Sequence, residues 1–140
     1  QLLARTLGAT VQPHPEGRAE IGYFPIRPTA AGQPVFDDPL YVYHWHHEGF
    51  ALPAGAELLA TGEHFPHQAY RYGVNAVGVQ FHPEVDQIIL ESWLVEGAHE
   101  LMVPGAQSAA EQRQHYAAHD AALDRWCEGF LDHWLGGEPG

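Results

Sequence analysis

The chain has 140 residues, with six basic and eighteen acidic side chains, and its formal net charge is −12 with histidine neutral. That charge repels phosphate backbones and anionic headgroups, so binding to nucleic acid or to a membrane surface is disfavoured. No apolar stretch approaches the roughly 18 residues of a membrane span, and a single cysteine excludes an internal disulfide framework. We therefore expect one cytoplasmic α/β domain over residues 1–140.

Turn residues divide the first part of the chain into short segments. Residues 1–8 carry leucines on one face and end at a glycine, which predicts a short helix. Strands are predicted where β-branched and aromatic residues lie between Gly, Pro and Asp. The predicted strands are 9–12, 20–27, 40–46, 57–61, 68–72 and 76–81. The last of these is nearly all apolar, which predicts a central strand buried on both faces.

Two helices are predicted to complete the chain. The first covers residues 85–96 and ends at Gly97. The second begins at a capping box of Ser108 and Glu111 and ends at Gly136-Gly137. Apolar residues at i, i+3, i+4 and i+7 spacing along it predict a stripe that faces the core. The stripe consists of Tyr116, Leu123, Trp126, Cys127, Phe130, Leu131 and Trp134.

The most informative local pattern is Gln-Phe-His-Pro-Glu at residues 80–84. It places an imidazole and a carboxylate two residues apart where a strand meets a helix, and open α/β sheets hold their active sites at that edge. Pro83 keeps His82 extended, and in extended backbone residues i and i+2 point the same way. Glu84 can therefore accept a hydrogen bond from one ring nitrogen of His82, which leaves the other nitrogen to act as a base.

This pattern is one of several segments that together resemble the class I glutamine amidotransferase family, closest to its stand-alone, GMP-synthase-like members. The segments are E-I-G at 20–22, Y-H-W-H at 43–46, F-A-L-P at 50–53, G-A-E-L-L-A at 55–60, Q-A-Y at 68–70 and V-Q-F-H-P-E-V at 79–85. The resemblance covers roughly residues 1–90. It implies the C-terminal portion of a flavodoxin-like domain, an open, mostly parallel sheet with helices on both faces, plus a small antiparallel patch. The N-terminal half of that domain would lie upstream.

The resemblance implies a Cys-His-Glu triad in which His82 and Glu84 match the family's histidine and glutamate. Gln1 matches the glutamine of the family's G-x-C-x-G-x-Q pattern and would contact the bound substrate. The cysteine would then lie four residues upstream of Gln1. The implied reaction is hydrolysis of the glutamine side-chain amide to glutamate and ammonia, and the ammonia would pass to a synthetase partner or a second domain.

The same resemblance implies that residues 45–48 correspond to the family's loop that lines the glutamine pocket. The residues concerned are Trp45, His46, His47 and Glu48. The pair His47-Glu48 replaces the family's Gly-Asp, which removes backbone freedom and adds a side chain near the substrate. Two alternatives stay open: a γ-glutamyl hydrolase of the same superfamily, and a catalytically silent domain kept for binding.

The histidines also permit a metal interpretation. His44 and His46 lie two residues apart on a predicted strand and could face one ion, with His64 or His67 as a further ligand. The pocket-lining interpretation is favoured, so neither a metal nor a cofactor is expected. Cys127 lies within the apolar helix stripe, which indicates an inert thiol rather than the nucleophile.

Overall fold

The computed structural model describes residues 1–136, which form seven strands and four helical segments. The strands are β1 (Val11–Pro13), β2 (Glu20–Pro28), β3 (Leu40–His46), β4 (Glu48–Phe50), β5 (Ala56–Thr61), β6 (Ala69–Tyr72) and β7 (Ala76–Val79). The α-helices are α1 (Leu2–Thr6), α2 (Gln87–Glu96) and α3 (Ala109–Gly136), and a short 3-10 helix, Ala98–Met102, follows α2. None of the helices in this part of the chain combines the length and apolar content needed to cross a bilayer. Gly137, at which α3 was predicted to end, lies outside the described residues.

The larger sheet has the strand order β3-β2-β5-β6-β7, and each neighbouring pair is antiparallel. A separate two-stranded sheet joins β1 to β4, again antiparallel. The predicted α/β class is confirmed, but the open, mostly parallel sheet is not found in residues 1–136. Parallel neighbours need a crossover of a dozen or more residues, usually a helix. Here all seven strands precede α2 and are joined by shorter loops, which favour antiparallel pairing.

Within residues 1–136 the last predicted strand does not occupy a central position. β7 forms the edge of the larger sheet as the structure describes it, and its four residues are only partly buried. An apolar sequence favours burial, but the place of a strand in the sheet depends on which neighbours the chain supplies. Only β6 pairs with β7 among the described residues. The strand also ends two residues early, because the backbone bends at Gln80 and Phe81.

Helix α3 packs against β2 and β3 and begins at the predicted capping box. The Glu111 amide donates to the Ser108 hydroxyl over 3.3 Å, and the Ser108 amide donates to the Glu111 carboxylate over 2.7 Å. Leu123 is fully buried, and the Trp126 indole donates to the Val35 carbonyl over 2.8 Å. The first half of the predicted stripe therefore faces the core.

The far end of that stripe does not face the core. Leu131 is 40% exposed and Trp134 is 46% exposed. The Trp134 indole nonetheless donates to the Asn75 carbonyl, in the turn between β6 and β7, over 3.2 Å. The end of α3 therefore lies beside this turn, and its apolar side chains stay partly exposed.

A buried polar cluster of Glu20, His44 and His46 occupies one face of the β2–β3 pair. Glu20 lies opposite His46 in the strand register, and His44 points to the same face because it is two residues away. Nδ1 of His44 lies 3.0 Å from Nε2 of His46, which lies 3.1 Å from a carboxylate oxygen of Glu20. Gln68 donates to the same oxygen over 3.0 Å. The cluster thus joins β2, β3 and the segment before β6.

Burial determines the protonation of this cluster. It lowers the pKa of His44 to about 3, so that this imidazole is neutral at physiological pH. Burial alone would raise the pKa of the Glu20 carboxyl, but the hydrogen bond from His46, the electrostatic influence of the two imidazoles and the hydrogen bond from Gln68 bring this pKa below its usual value. The ionised carboxylate is therefore stabilised by donors rather than by solvent.

Replacing His44 by asparagine tests the neutral state of this imidazole. Below pH 6.5 the unfolded wild-type chain binds a proton at His44 that the folded protein does not accept until about pH 3. The free energy of unfolding should therefore fall as the pH drops through this range. Urea unfolding between pH 6.5 and 4.5 should show that the unfolding free energy of the His44→Asn variant depends less steeply on pH than that of the wild type. The difference in slope should correspond to up to one proton taken up on unfolding. An unchanged slope would contradict a neutral His44.

The two serines of the chain provide a matched test of the α3 cap. Ser108→Ala removes the hydroxyl that accepts from the first turn and should destabilise the protein by about 1 kcal/mol. Ser92→Ala removes a hydroxyl from the exposed middle of α2 and should change the stability by less than about 0.5 kcal/mol. Equal effects in urea denaturation would show that the capping box contributes nothing specific.

Candidate active site

His82 and Glu84 lie where the chain turns from β7 into α2. Nδ1 of His82 is 2.8 Å from Oε1 of Glu84, and the His82 amide donates to the Tyr43 carbonyl over 2.8 Å. The carboxylate of Asp86 caps α2 by accepting from the Ile89 amide over 2.8 Å. The turn is therefore fixed at both ends. Because Glu84 engages Nδ1, Nε2 of His82 remains to exchange a proton with a reacting group.

Two tryptophans form an aromatic wall beside His82. The His82 ring lies 5.1 Å from the Trp93 ring, centroid to centroid, with the planes at 86°. The Trp45 and Trp93 rings lie 5.8 Å apart with the planes at 80°. The sequence did not single out Trp93, since an apolar residue at helical spacing is typical of a core position. Its place beside His82 follows only from the packing of α2.

Three side chains converge on the backbone carbonyl of Glu48. Gln1 and Gln80 each donate through Nε2 over 2.8 Å, and Nδ1 of His46 lies 2.9 Å away. Nε2 of Gln80 also lies 2.9 Å from Nδ1 of His46, so these two side chains contact each other as well. Nε2 of the same ring faces Glu20 in the buried cluster. The carbonyl thus links the cluster to Gln1 and to the segment that leads into His82.

One cleft brings the predicted pocket residues together. It is lined by Gln1, by residues 45–48 and by His82, together with parts of α1, β7 and the segment after β7. Glu84 does not line this cleft and instead supports His82 from the side. Only the backbone of Glu48 takes part in the contacts described above, because its side chain is exposed.

His47 connects the loop to the 3-10 helix. Its Nε2 lies 2.6 Å from Oε2 of Glu100, and the His47 ring is almost half exposed. The hydrogen bond from His47 lowers the pKa of Glu100, so that this carboxylate is ionised at neutral pH. The side chain that replaces the family's glycine thus pairs with Glu100, which does not itself line the cleft.

The buried cluster of Glu20, His44 and His46 is the one group in residues 1–136 whose three donor atoms lie close enough, within 4.8 Å of one another, to hold a metal ion. The sequence suggested the two histidines but not Glu20, which lies 24 residues before His44 and reaches it only through strand pairing. Hydrogen bonds from His46 and Gln68 already engage the Glu20 carboxylate, while Nε2 of His44 has no hydrogen-bond partner within residues 1–136. The expected absence of a metal and a cofactor stays a prediction.

The other histidines suggested as ligands lie elsewhere. His67 Nδ1 lies 2.8 Å from the Phe50 carbonyl, and the His64 ring packs against Phe24 at 6.1 Å between centroids. Cys127 is partly buried on α3, where burial and nearby carboxylates raise the pKa of its thiol. A protonated thiol is a poor nucleophile, which agrees with the inert interpretation of Cys127.

Comparison with known proteins places these observations in a family context. No protein-family model matches the chain. A curated relative from Salmonella typhimurium (strain LT2), named glutamine amidotransferase-like protein YfeJ, is 38% identical over 106 residues. The match covers 72% of this chain and 44% of the relative, so the chain spans less than half of that protein.

Two solved structures share the fold. A glutamine amidotransferase from Methylobacillus flagellatus superimposes with a TM-score of 0.87 and 29% identity, covering 99% of this chain and 60% of the other. A glutamine amidotransferase from Thermotoga maritima superimposes with a TM-score of 0.83 and 27% identity, and the match covers 96% of this chain and 58% of the other. The relative, the shared fold and the ordered motifs together show that the chain belongs to the class I glutamine amidotransferase family.

Proposed function

We propose that the full-length protein hydrolyses the side-chain amide of glutamine through a Cys-His-Glu triad, with the cysteine four residues upstream of Gln1. The observation that carries this proposal is the 2.8 Å hydrogen bond between His82 and Glu84. His82 also lines the cleft that contains Gln1 and residues 45–48. A base that is already oriented by a carboxylate therefore lies beside a cleft that can hold a substrate.

The chemistry follows from the roles that this geometry allows. His82 takes the thiol proton through Nε2, and the thiolate attacks the γ-carbonyl carbon of glutamine. The C–N bond breaks as His82 returns the proton to the departing ammonia, which leaves a γ-glutamyl thioester. Water then hydrolyses the thioester to glutamate, with His82 again as the base. Glu84 keeps the imidazole in the required tautomer and stabilises its charged form.

The predicted pocket residues all line the cleft, which supports a role for them in binding glutamine, with Glu48 taking part through its backbone carbonyl. Gln1 is tied to the Glu48 carbonyl, so its amide group is held at the edge of the cleft. Trp45, His46 and His47 contribute the wall between Gln1 and His82. We propose that this wall contacts the α-amino and α-carboxylate groups of the substrate, in a cytoplasmic enzyme that needs no cofactor. The released ammonia would go to a synthetase partner or a second domain.

A second candidate is a γ-glutamyl hydrolase that acts on a larger conjugate. The observation that favours it is a further cavity, lined in part by His82, that does not include Gln1 or residues 46–48. Free glutamine has only an amino group to leave, and it does not require such space. Ammonia release from free glutamine supports the first candidate, whereas cleavage restricted to γ-glutamyl conjugates supports the second.

Replacing Glu84 by glutamine tests the triad. We expect kcat for glutamine hydrolysis by the full-length protein to fall about 10²- to 10⁴-fold, because the imidazole loses its orienting carboxylate. The melting temperature should change little, since Glu84 is more than half exposed. Glu128→Gln, on the exposed side of α3, is the matched control and should leave turnover as it was. Unchanged turnover in Glu84→Gln would remove Glu84 from the triad.

A diazoketone analogue of glutamine tests the position of the nucleophile. It should alkylate the full-length protein once, at a cysteine four residues before Gln1, and excess glutamine should slow the reaction. Intact mass and peptide mapping locate the adduct, with Cys127 as the internal comparison. Labelling at Cys127 would contradict the assignment of the nucleophile. A residue other than cysteine at the upstream position would favour the catalytically silent alternative.

A further inference from the structure

A cavity of about 400 Å³ opens beside His82. Its lining consists of Trp45, His82, Trp93, Glu96, Gly97 and Glu100. It shares Trp45 and His82 with the cleft that contains Gln1. The two spaces therefore meet at the imidazole that we propose exchanges protons with the substrate.

The lining of this cavity suits a cation. The perpendicular indole rings of Trp45 and Trp93 present aromatic surfaces of the kind that attract ammonium groups. Glu96 and Glu100 add carboxylates, and no arginine lines the space. Glu100 pairs with His47, but Glu96 forms no ion pair within residues 1–136 and accepts only from the Ser92 hydroxyl over 3.1 Å. Its negative charge is thus left for a ligand.

The end of helix α2 adds to the negative potential. Glu96 is the last residue of α2, and the last turn of this helix carries no basic side chain. The carbonyl groups at a helix C-terminus carry a partial negative charge, which stabilises cations nearby. Gly97 follows directly, and a Cβ at this position would lie 2.3 Å from the Trp45 ring. Glycine is therefore required for Trp45 to pack against the end of α2.

The position of the cavity suits it to hold the leaving group of the reaction. In the proposed reaction His82 protonates the nitrogen that departs, so any substituent on that nitrogen must lie within reach of His82. The glutamyl part of the substrate would occupy the cleft with Gln1. The neighbouring space, which shares His82 but excludes Gln1, is then where the substituent would extend.

We propose that this cavity binds the ammonium end of an alkyl amine, so that the preferred substrates are γ-glutamyl amides of diamines. The inference rests on the triad of the proposed function, and it develops the second candidate, the γ-glutamyl hydrolase, by naming the substrate class of the same site. The thiolate forms the C–S bond, the C–N bond breaks, and the proton on His82 passes to the departing diamine. Water then releases glutamate from the thioester. The net charge of −12 favours the approach of such a cationic group.

The test compares three substrates of the full-length protein: glutamine, γ-glutamyl-1,4-diaminobutane and γ-glutamylbutylamine. The diaminobutane and butylamine conjugates have nearly the same length, but only the diaminobutane conjugate ends in an ammonium group. We expect kcat/KM for the diaminobutane conjugate to exceed that for the butylamine conjugate on the order of tenfold. A ratio near one, with glutamine still hydrolysed, would overturn the cation subsite and leave the proposed function intact.

Variants then locate the discrimination. Glu96→Gln and Trp93→Phe should each reduce the ratio of the two kcat/KM values, because they weaken the charge and the aromatic surface that meet the ammonium group. The ratio cancels any effect on His82 itself, which acts on both conjugates alike. Glu128→Gln removes the same charge from the exposed side of α3 and should preserve the ratio. A ratio that is insensitive to Glu96 would contradict the proposed role of this carboxylate.

Failure of the proposed function gives a different result. If none of the three substrates is cleaved, hydrolysis is disproved and the cavity is tested by binding alone. Titration with 1,4-diaminobutane should then change tryptophan fluorescence with saturation, and Glu96→Gln should weaken the binding several-fold. No saturable change at millimolar diamine would overturn the subsite as well.

Discussion

The pairing of β2 with β3 is the constraint on which the site depends. Glu20 lies opposite His46, and this register places a carboxylate and two imidazoles on one buried face. Shifting an antiparallel strand by one residue would move every side chain to the other face. The buried polar groups would then lose their partners, which is costly in an apolar interior. The cluster therefore stabilises one register and disfavours its neighbours.

The same register controls the surface that lines the cleft. His46 contacts Glu20 on one side of its ring and the Glu48 carbonyl on the other. That carbonyl in turn holds Gln1 and Gln80. A chain of hydrogen bonds thus runs from the core of the sheet to both sides of the cleft. The backbone carbonyl of Tyr43 in β3 accepts a hydrogen bond from the His82 amide, and the Trp45 side chain, on the opposite face of β3 from His46, packs against Trp93. One strand thus supports both the proposed base and the wall beside it.

The electrostatics of the site follow from where these groups lie. Glu20 and His44 are enclosed, and burial together with hydrogen bonding determines their charge states. His82 and Glu84 are partly exposed, so solvent can reach the pair. The structure thus contains two acid–base systems: an enclosed one that orders the sheet, and an accessible one to which we assign the proposed catalytic role. The two systems differ in their exposure to solvent.

The sequence by itself determined the features that depend on neighbours along the chain. The strand from Leu40 to His46, the capping box of α3 and the hydrogen bond from His82 to Glu84 involve residues no more than a few positions apart. Local backbone geometry is sufficient to predict such contacts. The ordered motifs also identified the family, because their spacing extends over roughly the first 90 residues.

Only the tertiary structure decided the features that join distant segments. Glu20 meets His46 through strand register, Trp93 meets His82 through the packing of α2, and β7 lies at the sheet edge because the described chain gives it one neighbour. Apolar content could not reveal that edge position, nor that Leu131 and Trp134 at the end of α3 stay partly exposed. Periodicity reports which face of an element is apolar, whereas the partner of that face is fixed by packing between segments far apart in the sequence.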